Sequence, residues 1–196
     1  MKKQNSRSPI ELTSLGIESN KLGVWAFLSS ETIFFSALIV TYLVLHGKNV
    51  SGPSPHDVLN VPLTAVNTFV LICSSFTMVS ALAAIQRGET KKLRLWLIAT
   101  ILLGAAFLGG QVTEFTLLIG QGLSLSRNVF GATFFTLTGF HGAHVLVGLI
   151  WIGFVLTKAF KGELNRENHL SVELVGLYWH FVDLVWIIIF TVVYLI

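Results

Sequence analysis

Six ionisable side chains sit in strongly apolar surroundings: the carboxylates Glu31, Glu114 and Asp183 and the histidines His141, His144 and His180. Ionisable groups within a membrane are costly, face the bundle interior and mark candidate functional sites. His141 and His144, three residues apart, share one helical face and could ligate a metal, with His180 or Glu31 completing the site. Glu31, His144 and His180 could instead pass protons along a relay. A third use needs neither metal nor transport: His–carboxylate pairs that fix helix register as polar glue. Haem ligation fits less well, since a membrane haem wants single histidines on facing helices with room for the macrocycle. Aromatic residues crowd His180 in Tyr178-Trp179-His180-Phe181. The single cysteine, Cys73, excludes a disulfide framework, a paired-cysteine zinc site and covalent haem attachment.

Elements long enough to place these groups are plain in the composition. Of 196 residues, 53% are hydrophobic and 12% charged, against a usual charged share of roughly 25%. Mean hydropathy is +0.74. With 15 Phe and 5 Trp, the excess is bulky rather than Ala or Gly padding. Five apolar stretches, at about 22–45, 62–85, 96–119, 130–157 and 174–196, each exceed the ~20 residues that cross a bilayer as a helix. A spanning β-barrel would show ~10-residue alternating segments instead. The expectation is an all-α polytopic membrane protein: a polar tail over 1–20 and a five-helix membrane domain over 21–196.

At ~1.5 Å per residue, Glu31 and Asp183 each lie about 14 Å from the inner ends of their spans. His180 is one turn shallower, and His144 falls in the inner half of an oppositely directed helix. These four can share a layer, whereas Glu114, near the outer end of its span, does not reach them.

Topology follows from the basic residues. The tail through Lys21 holds four Lys/Arg, the second loop four (Arg87, Lys91, Lys92, Arg94) and the fourth loop three (Lys158, Lys161, Arg166). Lys48 and Arg127 are the two on the other side. Eleven against two places the N-terminus in the cytoplasm and the C-terminus outside. The pI near 9.2 is thus a topology signal and not a nucleic-acid-binding face. The tail shows no short apolar core with a cleavage site, so no cleaved signal peptide is expected. Ser51-Gly52-Pro53-Ser54-Pro55 punctuates the first loop, and Pro62 suits the start of the second helix. Trp25 and Trp96 near the inner ends, with Tyr42 and Tyr194 near the outer ends, fit interfacial aromatic belts.

Small residues four apart, Ala105 and Gly109, Ala106 and Gly110, and Gly139 and Ala143, favour close helix approach, and Gly131, Gly142 and Gly148 add to this on the fourth helix. The Phe content on all faces leaves apolar surface for lipid or for other membrane subunits.

Several segments then carry a family resemblance: Gly23-Val24-Trp25-Ala26-Phe27-Leu28-Ser29-Ser30-Glu31, Val61-Pro62-Leu63 with Asn67-Thr68, and Gln111-Val112-Thr113-Glu114-Phe115. More specific are Phe140-His141-Gly142-Ala143-His144 on the fourth helix and Tyr178-Trp179-His180-Phe181-Val182-Asp183 on the fifth. From about residue 20 onward the chain resembles subunit III of the haem-copper terminal oxidases. The resemblance implies an integral subunit of the bacterial plasma membrane or another energy-transducing membrane, with no catalytic or metal centre of its own. Haem and copper are expected in partner subunits. Subunit I reduces dioxygen, subunit II docks the electron donor, and subunit III packs beside subunit I near a proton-uptake route and binds phospholipid. Glu31, His141, His144, His180, Asp183 and Glu114 would then form a structural polar set at a lipid or subunit interface.

The long form of that family has seven helices with a lipid-filled cleft between the first two and the rest. This chain begins at the equivalent of the third and resembles the short bacterial form, so an extended first subunit would have to supply the missing pair. Phe140 before His141 is closer to the cytochrome c branch than to the quinol branch. Two other readings stay open on the residues: a companion of a quinol oxidase or nitric oxide reductase, and a stand-alone proton or solute transporter built on the Glu31, His144, His180 and Asp183 layer. The half-repeats and broken helices common in transporters are not visible, since Pro occurs only at 9, 53, 55 and 62.

Overall fold

A computed structural model of the chain describes residues 19–47, 59–125 and 128–196. Five long helices run through them: α1 Ser19–Leu45, α2 Val61–Gln86, α3 Thr90–Gly120, α4 Val129–Phe160 and α5 Leu170–Phe190, the last continued by a π-helical turn over Thr191–Leu195. All five are long and apolar enough to cross a membrane, and no strand occurs among the described residues. The polar tail through residue 18, the Ser51–Pro55 punctuation, Lys48 and Arg127 lie outside the described residues.

The helices run past their apolar segments. The third begins at Thr90 rather than near 96, the fourth ends at Phe160 rather than 157, and the fifth begins at Leu170 rather than 174. Hydropathy registers where the hydrocarbon starts, whereas the backbone ladder needs no apolar side chains and continues into the polar zone, here from Glu89 and His169 without a side-chain cap. Asn60 caps α2 through Oδ1 on the Leu63 amide, with Pro62 in the first turn. Asn128 caps α4 through Oδ1 on the Gly131 amide at 2.7 Å. Helix α2 stops at Gly88, whose φ of 79° suits a residue without Cβ. There the Gly88 and Glu89 amides turn back to Ile85 and Ala84, and the same pair of bonds closes α3 at Gly122 and α4 at Gly162.

Helices α2, α3, α4 and α5 close a ring in which each packs on its two neighbours, and α1 lies outside it against α4 and α5. Helix α1 therefore buries only Leu28, Phe35 and Tyr42, a stripe of three side chains spaced seven residues apart. Its other apolar side chains, such as Ile33 and Val40, face outward. The ring interior holds Leu71, Met78, Phe107, Trp179 and Trp186, all nearly inaccessible. Arg94 at the start of α3 donates to Ala159 O at the end of α4 and lies over the Phe160 ring. That places a cation against the negative end of a helix dipole.

Two sequence expectations need correction. Tyr42 and Tyr194 do not belong to an interfacial belt: they are 1% and 7% exposed, because both rings point into the bundle and pack near Phe130 and Phe134. Trp25 is exposed, whereas Trp96 is half-buried against Phe76. The glycine spacings hold in part: Gly110, Gly142 and Gly148 sit at close approaches between helices as expected. Gly109 and Gly139 face open space, and the close approaches fall at Gly104, Gly110, Gly131, Gly142 and Gly148.

Candidate functional site

Construction of the polar layer starts on α2, whose Ser and Thr recur at helical spacing. Thr64, Thr68, Ser74, Ser75 and Thr77 form a ladder facing the ring. Thr64 donates to Glu114 Oε1 on α3 at 3.0 Å. Thr68 accepts from Trp186 Nε1 at 2.9 Å, and Ser74 accepts from Trp179 Nε1 at 3.0 Å. Ser75 Oγ lies 2.6 Å from His180 Nδ1, and Thr77 bonds Thr100 at 2.8 Å. Each rung joins α2 to α3 or α5, so the ladder fixes the rotation of α2 and satisfies polar groups that lipid would leave bare. The recurrence of hydroxyl residues along one face of the segment was the available sequence signal for these contacts.

Glu31 belongs to a separate pair at the flank of the bundle. Its Oε2 lies 3.0 Å from His144 Nε2 on α4, and the two side chains remain 17% and 18% exposed, so the pair is reachable from the side. His144 Nδ1 lies 2.7 Å from Phe140 O. A carbonyl only accepts, so Nδ1 is the donor there, which leaves Nε2 facing the Glu31 carboxyl. The Tyr178 hydroxyl donates to the carbonyl of His144.

His141 turns away from this pair into the ring. It is fully buried, stacked on Trp186 with centroids 4.8 Å apart, and neither ring nitrogen has a hydrogen-bond partner among the described residues. Phe35 lies against both histidine rings, 6.4 Å from His141 and 5.0 Å from His144 between centroids. Asp183 is buried beside Ser75. Ser75 Oγ also contacts His180 Nδ1, and neither Asp183 oxygen has a hydrogen-bond partner among the described residues. The shared layer thus resolves into two parts, Glu31 with His144 at the flank and His180 with Ser75 and Asp183 against α2. Glu114 lies apart from both, accepting from Thr64 and from Tyr194, each at 3.0 Å.

Among the described residues no three His, Cys, Asp or Glu side chains converge as a metal ligand set. The sequence pairing of His141 with His144 as ligands fails on geometry: His144 bonds Glu31 while His141 stacks on an indole. What the arrangement can do is lock helices together and present one polar pair on an otherwise apolar flank.

A five-helix bundle whose spans enclose a polar layer of hydroxyl, indole, imidazole and carboxyl groups defines a polytopic integral membrane protein. A family model described as Cytochrome c oxidase subunit III matches residues 12–196. The chain is 40% identical to quinol oxidase subunit 3 of Bacillus subtilis (strain 168), over 97% of this chain and 94% of that one. It is 41% identical to cytochrome c oxidase subunit 3 of Bacillus sp. (strain PS3), over 89% and 84%. Identity to cytochrome bo(3) ubiquinol oxidase subunit 3 of Pseudomonas aeruginosa is 39%, over 88% and 83%. The chain belongs to the cytochrome c oxidase subunit III family. It is an integral protein of the bacterial plasma membrane and a component of an oxidase complex with other subunits.

Proposed function

We propose that this chain is the accessory third subunit that packs beside the haem- and copper-bearing subunit I, together with subunit II, and supports proton uptake and lipid contact during dioxygen reduction. The N-terminus faces the cytoplasm and the C-terminus faces out in this reading, which the eleven-to-two distribution of basic residues supports. The observation that carries the reading is the Glu31–His144 pair. It is polar, half-buried and set in the flank where α1 shows mainly apolar side chains. Such a pair can brace α1 on α4 and meet a neighbouring membrane subunit without redox chemistry of its own.

The test is purification of the intact complex through a tag on this chain, with the parent and Glu31→Gln compared. Haem-bearing subunits should co-purify with both. Glu31→Gln should weaken subunit retention or shorten sustained turnover while leaving the haem spectra unchanged. Loss of the haem signal, or stoichiometric haem bound to this chain alone, would overturn the assignment.

A second reading concerns only the electron donor. Relatives named for quinol and for cytochrome c oxidases are equally similar, and Phe140 alone favours the cytochrome c branch. A copper-binding second subunit in the same complex assigns cytochrome c; a second subunit without copper assigns quinol.

A further inference from the structure

His144 and His180 are held alike but partnered differently. Each ring is fixed through Nδ1, His144 by its contact with Phe140 O at 2.7 Å and His180 by its contact with Ser75 Oγ at 2.6 Å. On His144 the other nitrogen, Nε2, is met by Glu31 Oε2 at 3.0 Å, carried by α1, the helix laid on the outside of the ring. On His180 the same nitrogen has no partner among the described residues. It is not among the enclosed polar atoms either, so it opens onto the outer side of the α2–α5 seam. His180 itself is half-buried.

At ~1.5 Å per residue, His180 lies ~15 Å along α5 from Leu170, and Ser75 lies ~16 Å along α2 from Gln86. Both positions are well inside apolar spans. A lipid presents hydrocarbon at this level and water is absent, so neither satisfies an imidazole nitrogen there. The undescribed stretches, 1–18, 48–58 and 126–127, adjoin the ends of the spans in sequence, and with them their cations Lys2, Lys3, Arg7, Lys48 and Arg127. The walls of the seam are apolar. Ile72 and Val79 on α2, one turn to either side of Ser75, are 44% and 53% exposed, and Leu184 and Ile187 on α5, one and two turns beyond His180, are 58% and 44% exposed. Behind them Asp183 keeps both oxygens enclosed and without partners among the described residues. A cationic side chain outside the seam would find that counter-charge out of reach, so the open nitrogen suits a neutral or acidic hydrogen-bonding group.

We propose that the α2–α5 seam docks a membrane helix of another subunit, which places one hydroxyl, amide or carboxyl side chain on His180 Nε2 as α1 places Glu31 on His144. One open nitrogen in a strip of apolar side chains matches a helix that carries a single polar side chain at that depth. The inference adds a second contact surface to the subunit reading above and rests on it. This surface lies one seam round the ring from α1, which packs on α4 and α5.

The experiment uses the intact complex purified through a tag on this chain, with photoreactive benzoylphenylalanine at Val79 or at Leu184. Captured peptides are mapped by mass spectrometry. Both positions should crosslink to one helix of another membrane subunit, within a turn of a Ser, Thr, Asn, Gln, Asp or Glu. From the Val79 position, His180→Phe should lower the crosslink yield about three- to tenfold, the scale of one hydrogen bond between membrane helices. His180→Gln keeps a hydrogen-bonding head at the reach of Nε2 and should retain most of the yield. Leu184→Trp should lower it by crowding the seam from the exposed side, and it carries the test if His180→Phe fails to assemble. Crosslinks only to lipid, to a quinone or to a second copy of this chain, equal loss in His180→Phe and His180→Gln, or a yield unmoved by every variant overturns the seam. Haem-bearing subunits are scored in the same samples: their absence from the parent complex overturns the subunit reading, and their presence without a seam crosslink overturns the seam alone.

Discussion

The indole of Trp179 touches three other helices. Its Nε1 bonds Ser74 on α2, while its ring lies where a Cβ on Gly104 of α3 or Gly148 of α4 would stand 2.8 to 2.9 Å away. Gly104→Ala or Gly148→Ala should therefore cost about 1 to 3 kcal/mol through overpacking, whereas Gly139→Ala, facing open space, should be neutral. Thermal dissociation of the purified complex measures the difference. The two histidines of α4 make a second contrast. His141 stacks on Trp186 without a hydrogen bond among the described residues, so His141→Phe trades an unpaired polar ring for an apolar one. It should stay within about 1 kcal/mol of the parent. His144→Phe removes the partner of Glu31 and should destabilise by about 1 to 3 kcal/mol. Equal losses in the same thermal assay would show that His141 has polar partners in the membrane.

Among the elements, α1 and α2 stand at opposite extremes of attachment. Helix α1 has three buried residues, held by the Glu31–His144 bond, the Phe34–Phe140 contact and the Lys21–Glu173 ion pair to the start of α5. Lys21 and Glu173 are about one-third exposed, so Lys21→Ala should cost no more than ~1 kcal/mol. Helix α2 is tied by its hydroxyl ladder, and Thr68→Val leaves the buried Trp186 N–H without its acceptor. That substitution should cost about 1 to 3 kcal/mol, and the relevant control is Ser80→Ala, whose hydroxyl serves only its own helix. Comparable effects of Thr68→Val and Ser80→Ala on thermal dissociation would show that the ladder does not set helix rotation. The ladder was readable as hydroxyl spacing, but its partners were not, because which indole meets which hydroxyl depends on the rotation of a helix more than a hundred residues away.

For the whole molecule, a ring of four helices with a fifth on its flank leaves apolar surface on every side, including Ile33, Phe69, Phe76 and Phe154, each more than 60% exposed. That surface suits lipid and neighbouring subunits. The orientation prediction belongs to this scale. A reporter fused after Ile196 should be active only when folded outside the membrane, and one inserted at Gly88 only in the cytoplasm. The reverse pattern would contradict the basic-residue distribution. The element count and the family were legible in the sequence because hydrocarbon thickness imposes span length and because Phe-His-Gly-x-His and Tyr-Trp-His-Phe-x-Asp are specific runs. The aromatic belt was misread at Tyr42 and Tyr194, since depth along a helix says nothing about which way a ring points.

By itself the sequence determined the membrane class, five spans, the membrane orientation to be expected and the set of ionisable groups, because these follow from composition and period along one chain. Only the tertiary structure decided how the groups were dealt out: Glu31 to His144, His180 to Ser75, Glu114 to Thr64 and Tyr194, and His141 to an indole face. In an apolar bundle almost any face can meet another. Partner choice is therefore settled by hydrogen bonds and close packing at particular crossings, and those exist only once all the helices are in place.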